Sequence, residues 1–269
     1  MSVTSLWDHY LAHGALPNDC PIYDMHGHWG PFTGIHLPAS DDETATKYLG
    51  RTGVKLFVFC HHQSLFSPDI GNAANIETVR RIPERIRAYC AINPNYPEAV
   101  EQDLAAYDDY PDVYVGLKMH PAHHLVPLDD SRYREAFEFA NDRKLPVLMH
   151  TWGGSKECGY QQVKSVLDRD PGITAILGHS LHGDWEHAIE LALGYSNIYL
   201  ETCAVVDERG ILEMLVEGAG SEKVVFGTDF PWFSHYYYIG AVLGADMTDD
   251  DRRNIFYRNA ERILKDWST

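Results

Sequence analysis

Residues 21–30 read PIYDMHGHWG, an apolar run that closes on two histidines, His26 and His28, one residue apart. An open nucleotide-binding sheet would carry Gly-x-Gly-x-x-Gly or Gly-x-x-x-x-Gly-Lys directly after its first strand. Neither follows here, and the next apolar runs repeat the pattern of residues 21–30 instead. Working outward, seven further runs are bounded by turn residues: KLFVFCHH (55–62), IRAYCAINP (86–94), VYVGLKMHP (113–121), LPVLMHTW (145–152), ITAILGHS (173–180), NIYLETC (197–203) and VVFGTDFP (224–231). Most are continuously apolar, as parallel strands covered on both faces should be. Between and after them lie stretches with helical spacing at 42–51, 70–82, 97–107, 131–143, 160–169, 184–193, 208–217 and 248–265. In the fourth, Tyr133, Ala136, Phe137 and Ala140 fall on one stripe. Pro97 and Ser131 are helix-start residues. Eight strand and helix units in strict alternation predict a (β/α)8 TIM barrel, a single domain over residues 1–269 with no linker, repeat or low-complexity break.

The composition is that of a globular chain. Of 269 residues, 45% are hydrophobic, 23% charged and 12% aromatic, which excludes a disordered chain. No window approaches the roughly twenty apolar residues that span a bilayer. The opening MSVTSLWDHYLAHGALPND lacks a basic segment leading into an apolar one, so the expected location is cytoplasmic. A net charge of -17, with basic runs no longer than the pairs at Arg80 and Arg252, argues against nucleic acid and anionic membranes as partners. The five cysteines are odd in number and include no Cys-x-x-Cys pair, so neither a disulfide framework nor a thiolate zinc site fits. The expected partner is a small-molecule substrate, and the expected assembly is a homodimer.

Fifteen histidines are the unusual count, and their positions decide its meaning. An apolar strand that ends in His or Asp places that side chain at the carboxyl edge, the active face of a barrel. Here the first strand ends with His26 and His28, the second with His61 and His62, and the fourth with Lys118 and His120. The fifth ends with His150, the sixth with His179 and the eighth with Asp229. Residues two apart share a face, so His26 pairs with His28 and Lys118 with His120. Taken singly, each of these reads first as a hydrogen-bonded loop histidine, but several imidazoles and a carboxylate converging on one axis are costly without a compensating cation or a complete hydrogen-bond network. A divalent metal uses neutral imidazole and carboxylate oxygen as ligands.

With these residues in order, DMHGHWG, GLKMHP, VLMHTW, ILGHS and GTDFPW resemble the amidohydrolase superfamily over the span from Asp24 to Pro231. The closest likeness is to its amidohydrolase-2 branch of short metal-dependent hydrolases and decarboxylases. The resemblance implies a metal-bearing barrel in which His26, His28, His150 and Asp229 are ligands. It implies either that His179 binds a second ion or that it stays free to orient or protonate the substrate. Lys118 stands where dihydroorotase-like members carry a carbamate bridging two metals; the other reading is an ammonium paired with Glu201 or Asp229. Zinc is the first expectation for the ion, with manganese, iron or cobalt open, and one ion or two.

The activity so implied is hydrolysis of a small carboxylic ester, lactone or amide by a metal-activated water, with Asp229 moving the proton and His179 or a second ion polarising the carbonyl. The alternative is non-oxidative decarboxylation of a small aromatic or enolic acid, with Asp229 or His179 supplying a proton to carbon. His-Thr-Trp on the fifth strand lacks the proline of the His-Pro-Trp found in some decarboxylases. A third reading is a binding barrel in which the metal is only a staple, but structural zinc sites are normally closed and often use Cys. Among other residues, Glu201 and Cys203 alternate on the seventh strand, where both could reach the site, although Cys203 reads first as a small core residue. His120, His123 and His124 follow the fourth strand as substrate contacts or as solvent-facing residues. Trp29, Trp152, Trp232 and Phe233 would wall a pocket, and the run His235 to Tyr238 would cover the mouth.

Overall fold

Burial on both faces is what continuous apolar runs require, and all eight residues of β1 (Ile22–Trp29) are buried. The computed structural model describes residues 5–265. The further strands are β2 (Val54–His61), β3 (Ile86–Ile92), β4 (Tyr114–Met119), β5 (Pro146–Trp152), β6 (Thr174–His182), β7 (Ile198–Glu201) and β8 (Val224–Val225). They form one parallel sheet in sequence order. Helices α1 (Leu6–His13), α2 (Asp42–Thr52), α3 (Pro68–Arg81), α4 (Pro97–Ala106), α5 (Pro121–His124) and α6 (Arg134–Arg143) come before β5. After β5 come α7 (Tyr160–Arg169), α8 (Trp185–Gly194), α9 (Ile211–Ala219), α10 (His235–Gly244), α11 (Asp249–Arg253) and α12 (Asn259–Ile263). The predicted (β/α)8 barrel is therefore the fold. Among the described residues no helix is long and apolar enough to cross a membrane.

Local chemistry explains the helix ends. Asp41 caps α2 by accepting the Thr44 N–H at 2.9 Å, and Gly53 closes it in the left-handed region. Thr248 and Asp251 form a reciprocal capping box at the start of α11. The predicted helix at 248–265 is α11 and α12 joined by a π-turn over Asn254–Arg258.

Two apolar layers result. Met25, Val58, Tyr89, Val115, Leu148, Ile176 and Val225 fill the barrel, whereas Phe57, Phe59, Phe137 and Val166 pack between the sheet and the helices. In β1 the register shifts between Asp24 and Gly27. Such a bulge breaks strict alternation. Asp24 therefore points outward to α10 while His26 and His28 line the central cavity.

The barrel closes irregularly. Only Val224–Val225 is strand where a run to Pro231 was predicted. Beyond it the chain bonds to β1 without strand register: the Met25 N–H donates to the Phe226 carbonyl, and both Thr228 and Asp229 N–H groups donate to the His26 carbonyl. The His28 N–H reaches the Phe230 carbonyl, with an isolated bridge between Gly27 and Phe230. The stretch 232–246, which shows no helical spacing in the sequence, contains α10, a mostly apolar helix. Its run His235 to Tyr238 does not simply cover the mouth: His235 and Tyr238 are wholly buried, and Tyr236 and Tyr237 are exposed.

Candidate active site

The carboxyl ends of the strands surround a cavity of about 530 Å³ whose floor presents His26, His28, Lys118, His150, His179 and Asp229. All six residues proposed as ligands thus face one space. Phe32, Leu65, Trp152, Trp232 and Phe233 form apolar walls. Phe32, from the loop after β1, packs edge-on against both His62 and Trp232.

Asp229 is the hub. Its Oδ1 lies 3.0 Å from His28 Nε2 and 3.5 Å from His26 Nε2. Neither contact has hydrogen-bond alignment, so this buried oxygen is left without a donor. Two donors each about 2.1 Å from one cation, at tetrahedral to right angles, stand about 3.0–3.4 Å apart. The spacing and the orphaned oxygen therefore fit a divalent cation held by His26, His28 and Asp229, and the three offer ligand atoms within 4.8 Å of one another. Burial alone would raise the Asp229 carboxyl, but the adjacent His28, His26 and His179 hold it well below the usual carboxylate range.

Glu201 orients this group from behind. Its Oε2 accepts the His26 Nδ1–H at 2.8 Å and the His179 backbone N–H at 3.1 Å, and its Oε1 accepts the Cys203 N–H. The first bond fixes the His26 tautomer and turns the Nε2 lone pair into the cavity, the usual arrangement behind a metal-binding imidazole. Glu201 is fully buried, and burial pushes its carboxyl well above the ordinary range despite these bonds. It fits only because Gly227 lacks a side chain: a Cβ there would stand 2.2 Å from Glu201 Oε1.

His179 is delivered by a costly backbone. His179, Ser180 and Leu181 take φ of 68°, 48° and 54°, three consecutive non-glycine residues in the left-handed region. Bonds from outside hold the segment: Ser180 Oγ donates to the Glu201 carbonyl at 2.8 Å, and the Leu181 N–H donates to Thr151 Oγ1 at 3.0 Å. His179 Nδ1 is buried without a partner, and burial lowers its pKa to about 4 against the raising field of Asp229. Asp229 itself has φ 58°.

Lys118 is fully buried, and its Nζ donates to His26 Nε2 at 2.9 Å. Among the described residues it has no carboxylate within 4.0 Å, so the ion pair with Glu201 or Asp229 is not formed. A cation on His26 Nε2 and the Lys118 ammonium compete for one lone pair. His150 joins none of the three groups of donors that come within 4.8 Å of one another, and it packs between His120 and His179. Cys203 joins one, with His179 and Asp229.

Other strand-end histidines serve the scaffold. His62 donates through Nδ1 to the Gly30 carbonyl at 2.7 Å and accepts from Trp232 Nε1 at 3.0 Å. His124 is bonded to Tyr133 Oη at 2.6 Å and to the Leu65 carbonyl at 3.0 Å. His61 accepts the Gln63 N–H.

A buried network escaped the sequence reading. Asp24 Oδ2 accepts from Thr228 Oγ1 at 2.6 Å and from His235 Nε2 at 2.8 Å, while its Oδ1 accepts the His26 N–H at 3.0 Å. It ties together the segments that carry His26 and Asp229.

The profile of the amidohydrolase family matches residues 23–265. No curated protein sequence matches. Among solved structures, an uncharacterized TIM-barrel protein from Bordetella bronchiseptica is similar with a TM-score of 0.76 and 17% identity over 91% of this chain and 98% of that one. The 2,6-dihydroxybenzoate decarboxylase from Rhizobium gives a TM-score of 0.70 and 14% identity over 91% and 99%. The 5-carboxyvanillate decarboxylase from Novosphingobium aromaticivorans, crystallised with manganese and 4-hydroxy-3-methoxy-5-nitrobenzoic acid, gives 0.72 and 10% over 91% and 96%. The chain belongs to the amidohydrolase family.

Proposed function

We propose that this amidohydrolase-family chain is a metal-dependent, non-oxidative decarboxylase of a small aromatic acid. The observation that carries the reading is the cavity itself, an imidazole and carboxylate floor under walls of Phe32, Trp152, Trp232 and Phe233. A planar acid finds apolar faces there for its ring and polar groups for its carboxylate. Two of the similar structures are decarboxylases of hydroxylated benzoic acids, which supports the same choice. This reverses the order of the two activities reached from sequence.

His26, His28 and Asp229 would hold the cation, with His150 as a further ligand and Lys118 beside it. Zinc and manganese are the leading identities, manganese because a similar decarboxylase was crystallised with it. When bound, the cation supplies positive charge that orients the substrate carboxylate. Glu201 keeps the His26 tautomer, and the aromatic walls exclude water. The Asp229 carboxylate and His179, whose Nδ1 is buried without a partner, are assigned to moving the proton. The bond between ring carbon and carboxylate breaks, its electron pair stays on carbon, one of these two groups delivers a proton there, and carbon dioxide leaves. Solvent restores the proton.

One observation favours hydrolysis of a small ester, lactone or amide as the second reading: His179, Cys203 and Asp229 form a further donor group, suited to a second cation. The test is carbon dioxide release against acid release over a panel of hydroxybenzoates, esters and lactones. Carbon dioxide from a hydroxybenzoate, abolished in Asp229→Asn with most of the metal retained, is the expected result. Acid release from esters without any carbon dioxide would transfer the assignment to hydrolysis.

A further inference from the structure

One wall of the cavity is unlike the rest. His123, His120 and His150 form a row of near-parallel rings, with centroids 3.9 Å and 4.0 Å apart and planes tilted by 25° and 15°. All three line the cavity, with Lys118 at the inner end of the row and half-open His123 at the mouth. His120 Nδ1 accepts the His123 backbone N–H, so its proton lies on Nε2. Among the described residues, the side chains of His123 and His150 make no hydrogen bond. The carboxylates lining the cavity, Asp207 and Asp229, come from the segments after β7 and β8, away from the row on β4 and β5.

This matters because the chain carries a net charge of -17 and repels anions as a whole. A wall of unclaimed N–H donors ending in an amine is then a local exception. A single carboxylate oriented over His26, His28 and Asp229 leaves the outer part of the row, His120 and His123, without an acceptor.

We propose that His120 and His123 form a second anion subsite, so that the substrate is an aromatic acid bearing two carboxylates. One carboxylate lies over the His26, His28 and Asp229 floor and the other lies against the outer imidazoles. The subsite rests on the decarboxylase reading only for which carboxylate is lost; recognition of the second one requires no turnover.

The experiment measures binding of benzoate and of benzene-1,3-dicarboxylate to the metal-loaded protein by calorimetry, alongside kcat and KM for whichever hydroxylated mono- and dicarboxylates release carbon dioxide. In the wild type the dicarboxylate should bind about tenfold or more tighter than benzoate, as a charge-assisted hydrogen bond implies. His123→Gln should collapse that ratio, through KM rather than kcat where turnover is seen, and His123→Arg should restore it, which a merely structural role would not allow. His120→Asn is the second probe and should act in the same direction. Equal affinity for the two acids in the wild type, or equal weakening of both in His123→Gln, overturns the subsite. Absence of carbon dioxide with the binding ratio intact would overturn the decarboxylase reading and leave the subsite standing.

Discussion

Replacing Glu201 by Gln tests how the site is held. The carboxylate accepts three bonds, from the His26 ring, the His179 backbone and the Cys203 backbone. A glutamine amide retains one oxygen. With that oxygen facing His26 and His179, its NH2 meets the Cys203 N–H donor to donor and leaves a buried amide unpaired, a cost of about 1–3 kcal/mol. Turned the other way, it loses two bonds and releases the His26 tautomer. Relief from burying a carboxylate offsets part of this loss, so the variant should fold. Its affinity for the cation should fall about 10–100-fold, as when outer partners of a ligating histidine are removed. Glu201→Ala orphans all three donors, about 3–9 kcal/mol against a total stability of about 5–15, and should not accumulate as folded protein. Gly227→Ala is the steric counterpart: its Cβ would push on the same carboxylate from 2.2 Å and should weaken the cation site with Glu201 present. The assay is competition with a chromophoric chelator, with thermal unfolding of the metal-free protein as the fold control. A folded Glu201→Gln variant whose cation affinity lies within threefold of the wild type would refute the reasoning.

Three further perturbations follow from the geometry. His235→Phe leaves the wholly buried Asp24 without one of its three donors; breaking such a pair costs about 3–5 kcal/mol, a fall in Tm of roughly 10 °C by calorimetry, and a fall below 2 °C would mean the pair is idle. His124, whose pKa burial lowers to about 4, sits below its unfolded value of about 6.5, so the stability it contributes is present near neutrality and lost as pH falls from 6.5 toward 4, by about 3 kcal/mol at most. Urea unfolding at pH 7 and pH 4 should show a smaller loss in His124→Gln than in the wild type, and identical losses would rule the residue out as a source of acid sensitivity. Gly27→Ala would place a Cβ 2.0 Å from the Phe57 ring; the resulting overpacking should cost about 1–3 kcal/mol in chemical denaturation, and a neutral result would show that Phe57 can move aside.

How far the sequence could be read depends on how local each signal is. Eight apolar runs separated by helical spacing locate β1 to β7 well, because burial on both faces is written into consecutive residues. His26, His28, Lys118, His150, His179 and Asp229 stand out as polar residues at the ends of apolar runs, and all six face the cavity. Glu201 was visible on its strand, but its bond to His26 spans 175 residues and has no spacing to betray it. Asp24, Thr228 and His235 were unreadable for the same reason. Helix α10 is not legible as a helix because HYYYIGAVLG, apolar nearly throughout, presents no polar face with a period of 3.6. The short β8 is a tertiary effect: both the Thr228 and Asp229 N–H groups bond to one carbonyl of His26 rather than continuing a ladder.

That last feature bears on how the protein comes into being. The hydrogen bonds that shut the ring between β8 and β1 belong to the same residues that bring Asp229 to His26 and His28, and the chain between Asp24 and Thr228 spans 204 positions. A chain emerging from the ribosome therefore has its two histidines long before it has the carboxylate, and no half-barrel can present the three together. Capture of the proposed cation would have to wait for the final closure and, once made, would favour the closed ring over every open one by mass action. Metal supply during synthesis would then set how long the newly made sheet remains with an exposed edge, the form most prone to pair with another chain.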